Sequence, residues 1–246
     1  MWKLDGTHAT LDTPEFAASL DLAQPHLGLK VATPQRDGHI SSRSEGQILQ
    51  VHFPLPPRAE DVQDCWTRGA DLVVTYSQRS GRQVTSEIYW RLVRSCTDMF
   101  GTELILSVQT DLLDASPTTS ASSQIPAAEA YWLRNPESLE SGSYLRSTDS
   151  LLQIDRAAGQ GLFVFRIAGS PFSYVEMVHP TDFCSATVHW DDGAALLRWQ
   201  LFPDSLEKGV IRRARLRGLF VSQDNDLANA VRCFQEFAAS PTPLTT

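Results

Sequence analysis

Apolar side chains along most of this chain recur at every second position, and that period belongs to the β-strand. Leu72, Val74 and Tyr76 share one face of the segment Asp71–Arg79. Val84, Ile88, Trp90 and Leu92 share one face of Gln83–Val93, and Ser80-Gly81 lies between the two as a hairpin turn. Leu104, Leu106 and Val108 mark another strand within Thr102–Leu112. Leu162–Ala168 is almost wholly apolar, as suits a strand buried on both faces. Phe172–His179, Ser185–Trp190, Ala194–Phe202 and Lys208–Val221 continue the pattern, and Asp191-Asp192-Gly193 supplies a tight hairpin. Near the N-terminus, Phe16–Thr33 reads as two extended segments bent at Pro25, and Ile48–Phe53 alternates before three prolines stop it. Pro34–Gly46 between them reads as a long polar loop. One stretch breaks the rule. Leu227, Ala230, Val231, Phe234 and Phe237 recur at helical spacing, with Asp224 or Asn225 as cap and Ser240-Pro241 as stop. The expected fold is therefore mostly β, an antiparallel β-sandwich with one C-terminal helix that must lean on the sheet.

The chain has 246 residues, enough to bury roughly 70% of its unfolded surface without staples. No internal repeat is present, and the strand pattern reads the same in both halves. We therefore expect a single β-sandwich domain over residues 1–246. Ala115–Ala128, rich in Ser, Thr, Ala and Pro, is the one low-complexity run. It reads as a flexible excursion from that domain.

The formal net charge of −8 repels phosphate backbones and anionic lipid, so neither nucleic acid nor membrane is an expected partner. The sequence shows no apolar leader and no run of about 18 apolar residues, and a cytoplasmic location is expected. Cys65, Cys96, Cys184 and Cys233 are far apart, without metal-site spacing, and read as thiols. Oligomeric state is left open.

Nucleotide, hydrolase, metalloprotease and calcium-loop motifs are absent from the sequence, so no cofactor is expected. Three groups of residues carry the candidate chemistry. The first is Tyr174-Val-Glu-Met-Val-His-Pro-Thr-Asp182, followed by His189-Trp190-Asp191-Asp192. Glu176 with His179 or His189 can supply a base and an acid, and the same donors suit a metal, although neither spacing is diagnostic. The same residues also read as a solvated strand position and turn chemistry. The second is the row Arg213, Arg215 and Arg217 on one strand face. It suits recognition of a carboxylate or phosphate, or pairing with acids on a neighbouring strand. The third is aromatic. Tyr89 and Arg91 share a face with Glu87, and Trp66, Trp90, Trp132, Trp190 and Trp199 sit in or beside strands. Rings against sugar C–H faces, with charged groups on the hydroxyls, make such a sheet a sugar platform; tryptophans alternating in strands also serve as core.

Long strands, the turn Trp199-Gln-Leu-Phe-Pro203, then Leu206-Glu-Lys-Gly209 and a further long strand fill the last fifty or so residues. In this layout the chain resembles the galactose-mutarotase-like supersandwich group of carbohydrate-active and carbohydrate-binding β domains. The resemblance implies a sugar ligand. Epimerases of that group use a Glu base and a His acid on a concave sheet. Their usual motif blocks have no match here, and Glu176 with His179 or His189 corresponds by residue type alone. The expected function is thus carbohydrate interaction without required catalysis. Two alternatives stand beside it, an epimerase- or lyase-like enzyme using the Glu/His pair and a protein-interaction module with no small ligand.

Overall fold

The computed structural model describes residues 1–14, 17–32, 46–94, 99–136, 142–145 and 151–241. In chain order its strands begin with β1 (Trp2–Asp5), β2 (His8–Asp12), β3 (Ala17–Asp21), β4 (Leu29–Ala32), β5 (Gln47–His52), β6 (Val62–Arg68) and β7 (Asp71–Tyr76). Then come β8 (Thr85–Arg94), β9 (Phe100–Gln109), β10 (Asp114–Ala115), β11 (Ser120–Ile125), β12 (Ala127–Leu133), β13 (Gly142–Leu145) and β14 (Leu152–Asp155). The last are β15 (Leu162–Ile167), β16 (Phe172–Val178), β17 (Ser185–Asp191), β18 (Ala194–Gln200), β19 (Leu206–Glu207) and β20 (Ile211–Ser222). Helix α1 (Asp226–Ala238) follows.

Two nine-stranded antiparallel sheets pack face to face. The first has the order β1-β2-β3-β4-β5-β11-β18-β17-β14, the second β13-β12-β15-β16-β20-β9-β8-β7-β6. One hydrophobic core between them draws on both, from Trp2 and Leu11 through Trp90 and Trp199 to Phe220. The expected antiparallel sandwich with one C-terminal helix is what the chain forms.

Local chemistry places the turns where the sequence put them. Asp192 and Gly193 both take positive φ, 45° and 77°, the form in which a two-residue hairpin matches strand twist. Arg79 and Arg82 bridge across Ser80-Gly81. The helix is seated on Leu162, Val164, Val175, Met177 and Leu219, which face away from the main core. Arg166 pins its first turn by a two-pronged contact with Asp226 at 2.8 and 3.0 Å. Asn225, at the cap position, is left-handed and gives no side-chain cap.

One expectation is corrected. Within Ala115–Ala128 the chain is strand β11, in the interior of the first sheet between β5 and β18, and the start of β12, not a flexible excursion. Its small residues are small for a reason. Ala121 lies directly across from Trp199, and Ala186 flanks that indole on the other side. The loop expected at Pro34–Gly46 falls outside the described residues except for Gly46.

Candidate functional site

Helix α1 covers one half of the outer face of the second sheet, over β15, β16 and β20. The strand registers arrange the other half as three transverse rows. The middle row is apolar and aromatic: Trp66, Val73, Tyr89 and Ile105 are successive cross-strand partners, with Arg215 at its end. On one side runs Asp71, Arg91, Glu103, Arg217. On the other runs Asp64, Thr75, Glu87, Ser107, Arg213. Six residues singled out from the sequence, Glu87, Tyr89, Arg91, Arg213, Arg215 and Arg217, thus share one face of one sheet. Strand β9 is what joins them, by lying between β8 and β20.

Both polar rows are laced by contacts between side chains. In the first, Arg91 clasps Asp71 at 2.7 and 3.0 Å, and Arg217 holds Glu103 at 2.5 and 3.1 Å. These are the cross-strand ion pairs that a row of arginines commonly makes, and they spend most of the donors of those side chains. Arg215, nearly buried, is also committed, to Asp182 at 3.2 Å. In the other row Arg213 bonds the Ser107 hydroxyl at 3.0 Å. Glu87 accepts from the Tyr89 hydroxyl, and burial first, then Glu87, pushes that phenol up. Tyr89 is 8% exposed; it holds the half-buried Trp66 edge-to-face, with ring centres 6.5 Å apart at 86°. Trp66 is the ring of this row that meets solvent.

Two concavities meet at Arg213. A groove of about 90 Å³ lies among Thr75, Thr85, Glu87, Ser107 and Arg213. A cleft of about 550 Å³ lies beyond the end of β16. The cleft exists because β16 stops short: Val178 pairs with Leu216, Pro180 cannot continue the ladder, and the chain turns away. The first residues of β20, 211–214, then keep only β9 as neighbour. Arg212, Arg213, Asp182, Arg156 and the apolar Leu201-Phe202-Pro203 line the space so opened.

Glu176, His179 and His189 are not brought together. Glu176 points into the sandwich, fully buried, and accepts from Ser123, Tyr174 and Trp199, each at 2.5 Å. Burial raises its carboxyl above the usual range, and the three donors oppose that shift. His179 sits on the opposite side of the same sheet, 5% exposed, its Nδ1 against the Thr181 hydroxyl and its ring edge-on to Phe237 of the helix. Burial, then Arg215, lowers its pKa. His189 lies on the outer face of the first sheet, paired with Leu196. Trp190 belongs to the first sheet as well, packed against the main core. The second sheet thus stands between Glu176 and His179, and the first sheet between Glu176 and His189, so the structure does not bring the expected base to either expected acid. Among the described residues no group of three His, Cys, Asp or Glu is placed to hold a metal ion.

Glu103 and Ser107 escaped notice because their partners on β20 lie more than a hundred positions along the chain. Trp66 was visible as an aromatic residue beside a strand. Nothing local showed that it would stand at the exposed end of the Tyr89 row.

No protein-family model matches the sequence, and no curated protein matches it. Solved structures do. A putative aldose 1-epimerase from Klebsiella pneumoniae superposes with a TM-score of 0.57 at 9% identity, over 97% of this chain and 87% of that one. A GalM/aldose epimerase homologue from C. elegans gives 0.51 at 10% identity, over 86% and 97%. The chain has the β-sandwich fold of these aldose epimerase homologues. No helix among the described residues is long and apolar enough to cross a membrane.

Proposed function

We propose that the protein binds carbohydrate on the half of the second sheet's outer face that helix α1 does not cover. The observation that carries this reading is that Trp66, Tyr89, Glu87 and Arg213 share one face, with Tyr89 and Glu87 on β8 standing two strands from Trp66 on one side and two strands from Arg213 on the other. A ring held upright by a second ring covers the apolar face of a sugar, while the Glu87 carboxylate and, farther along the face, the Arg213 guanidinium bind hydroxyls of that unit or of a neighbouring one. The fold shared with aldose epimerase homologues supports a sugar as the ligand class, by analogy of scaffold. Cys65, Cys184 and Cys233 are free thiols, in keeping with a reducing, cytoplasmic setting.

A glycan array probed with the purified chain tests the reading, followed by titration of each hit against intrinsic tryptophan fluorescence. Binding of one or more glycans with a fluorescence change that Trp66→Phe abolishes is expected. Failure to retain any glycan contradicts the proposal.

A further inference from the structure

We propose that the ligand is a neutral oligosaccharide, bound across two subsites that meet at Arg213. This inference rests on the carbohydrate reading of the same face. The groove beside Glu87, at about 90 Å³, falls below the range of roughly 300–1,000 Å³ in which small-molecule sites enclose their ligands. It holds the edge of one ring against the sheet and no more. The cleft beyond β16, at about 550 Å³, lies within that range. Arg213 lines both, so a chain leaving the groove past its guanidinium enters the cleft.

The chemistry of the cleft selects the class. Its charged residues are Arg156, Arg212, Arg213, Asp155, Asp182 and Asp204, three of each sign. The groove again has one of each, Glu87 and Arg213. Neither space carries a net field that favours an anion. Both present planar forked groups suited to pairs of hydroxyls. Arg212 and Asp204 pair at 3.0 Å across the mouth, with side chains 37% and 71% exposed. That pair is open to exchange its mutual contact for hydroxyls. Phe202, on the floor, is 5% exposed, and the exposed Pro203 gives an apolar ring beside it. The cleft thus sets an apolar ring beside forked charges, next to the forked charges of the groove.

The test is the affinity of the intact chain for malto-, cello- and galacto-oligosaccharides of one to six units. Glucuronic acid and glucose 6-phosphate serve as anionic arms, and the double variant Arg212→Ala/Asp204→Ala as the cleft probe. Asp204 is exposed and Arg212 half-buried, and circular dichroism checks that the fold is retained. In one of the neutral series the dissociation constant is expected to fall at least about tenfold between the monosaccharide and the trisaccharide, equivalent to about 1.4 kcal/mol. The double variant should lose that gain. Equal affinity for one unit and for several overturns the two-subsite inference and leaves the platform reading standing. So does a gain that survives the double variant. Preferred binding of either anionic sugar overturns the neutral assignment. No binding of any sugar overturns this inference and the platform reading together.

Discussion

Removing the Glu176 side chain takes the acceptor from three buried donors at once. In Glu176→Ala, Ser123, Tyr174 and Trp199 each lose the acceptor they hold at 2.5 Å, in a region with no solvent access. A buried donor left unsatisfied costs about 1–3 kcal/mol, so three of them cost about 3–9 kcal/mol. A domain's whole stability is about 5–15 kcal/mol, and the variant should be largely or wholly unfolded at 25 °C. Glu176→Gln is gentler, because the amide oxygen still accepts while its NH2 faces two hydroxyls. It also removes a titration. Burial raises the folded-state pKa of Glu176, so the folded chain holds that proton more tightly than the unfolded one. The resulting stability is full below the unfolded pKa of about 4.3 and is lost as pH rises through the folded value. Urea unfolding of wild type and Glu176→Gln from pH 4 to 8 reads this directly. The wild type should lose stability relative to the variant as pH rises, by at most about 1.4 kcal/mol per pH unit. A flat difference across that range, or a Glu176→Ala protein as stable as wild type, would refute the reasoning.

Three further outcomes follow from the packing. Glu103→Gln weakens the nearly buried pair with Arg217 and should cost about 3 kcal/mol, the low end for a buried pair because Arg217 retains some exposure; the melting temperature should fall by about 6–12 °C. Gly218→Ala sets a methyl group against the Tyr174 hydroxyl that serves Glu176 and should cost about 1–3 kcal/mol, read as a lower urea midpoint with unchanged slope. Burial pushes the Cys233 thiol up to about 11, so mapping of maleimide adducts at pH 7.5 should find it unmodified in the native chain and modified in urea, whereas the partly exposed Cys65 and Cys184 react natively.

Period-two spacing made the strands legible, and with them the faces. Glu87, Tyr89 and Arg91 could be assigned to one side of a strand from order alone, as could Arg213, Arg215 and Arg217. What local order does not encode is that β9 brings the two strands together. That pairing is fixed by register over more than a hundred residues. The same gap explains Glu176. Alternation placed it with Tyr174 on one face, which is correct, but the inward sense of that face depends on Trp199 and Ser123 from the other sheet. Composition misled most at Ala115–Ala128. Serine, threonine and alanine suggested flexibility, whereas in β11 they leave room for Trp199 and, through Ser123, satisfy both Glu176 and the Leu49 amide.

The central claim is that sugar is bound on the half of the second sheet's outer face that helix α1 does not cover. Parallel titrations of one glycan into wild type, Trp66→Ala and His189→Ala test it most directly, since His189 lies on the outer face of the opposite sheet. Loss of a buried-edge aromatic anchor should weaken binding at least about tenfold in Trp66→Ala, on the scale of about 1.4 kcal/mol, with His189→Ala unchanged. Weakening by His189→Ala with Trp66→Ala unaffected would contradict the account.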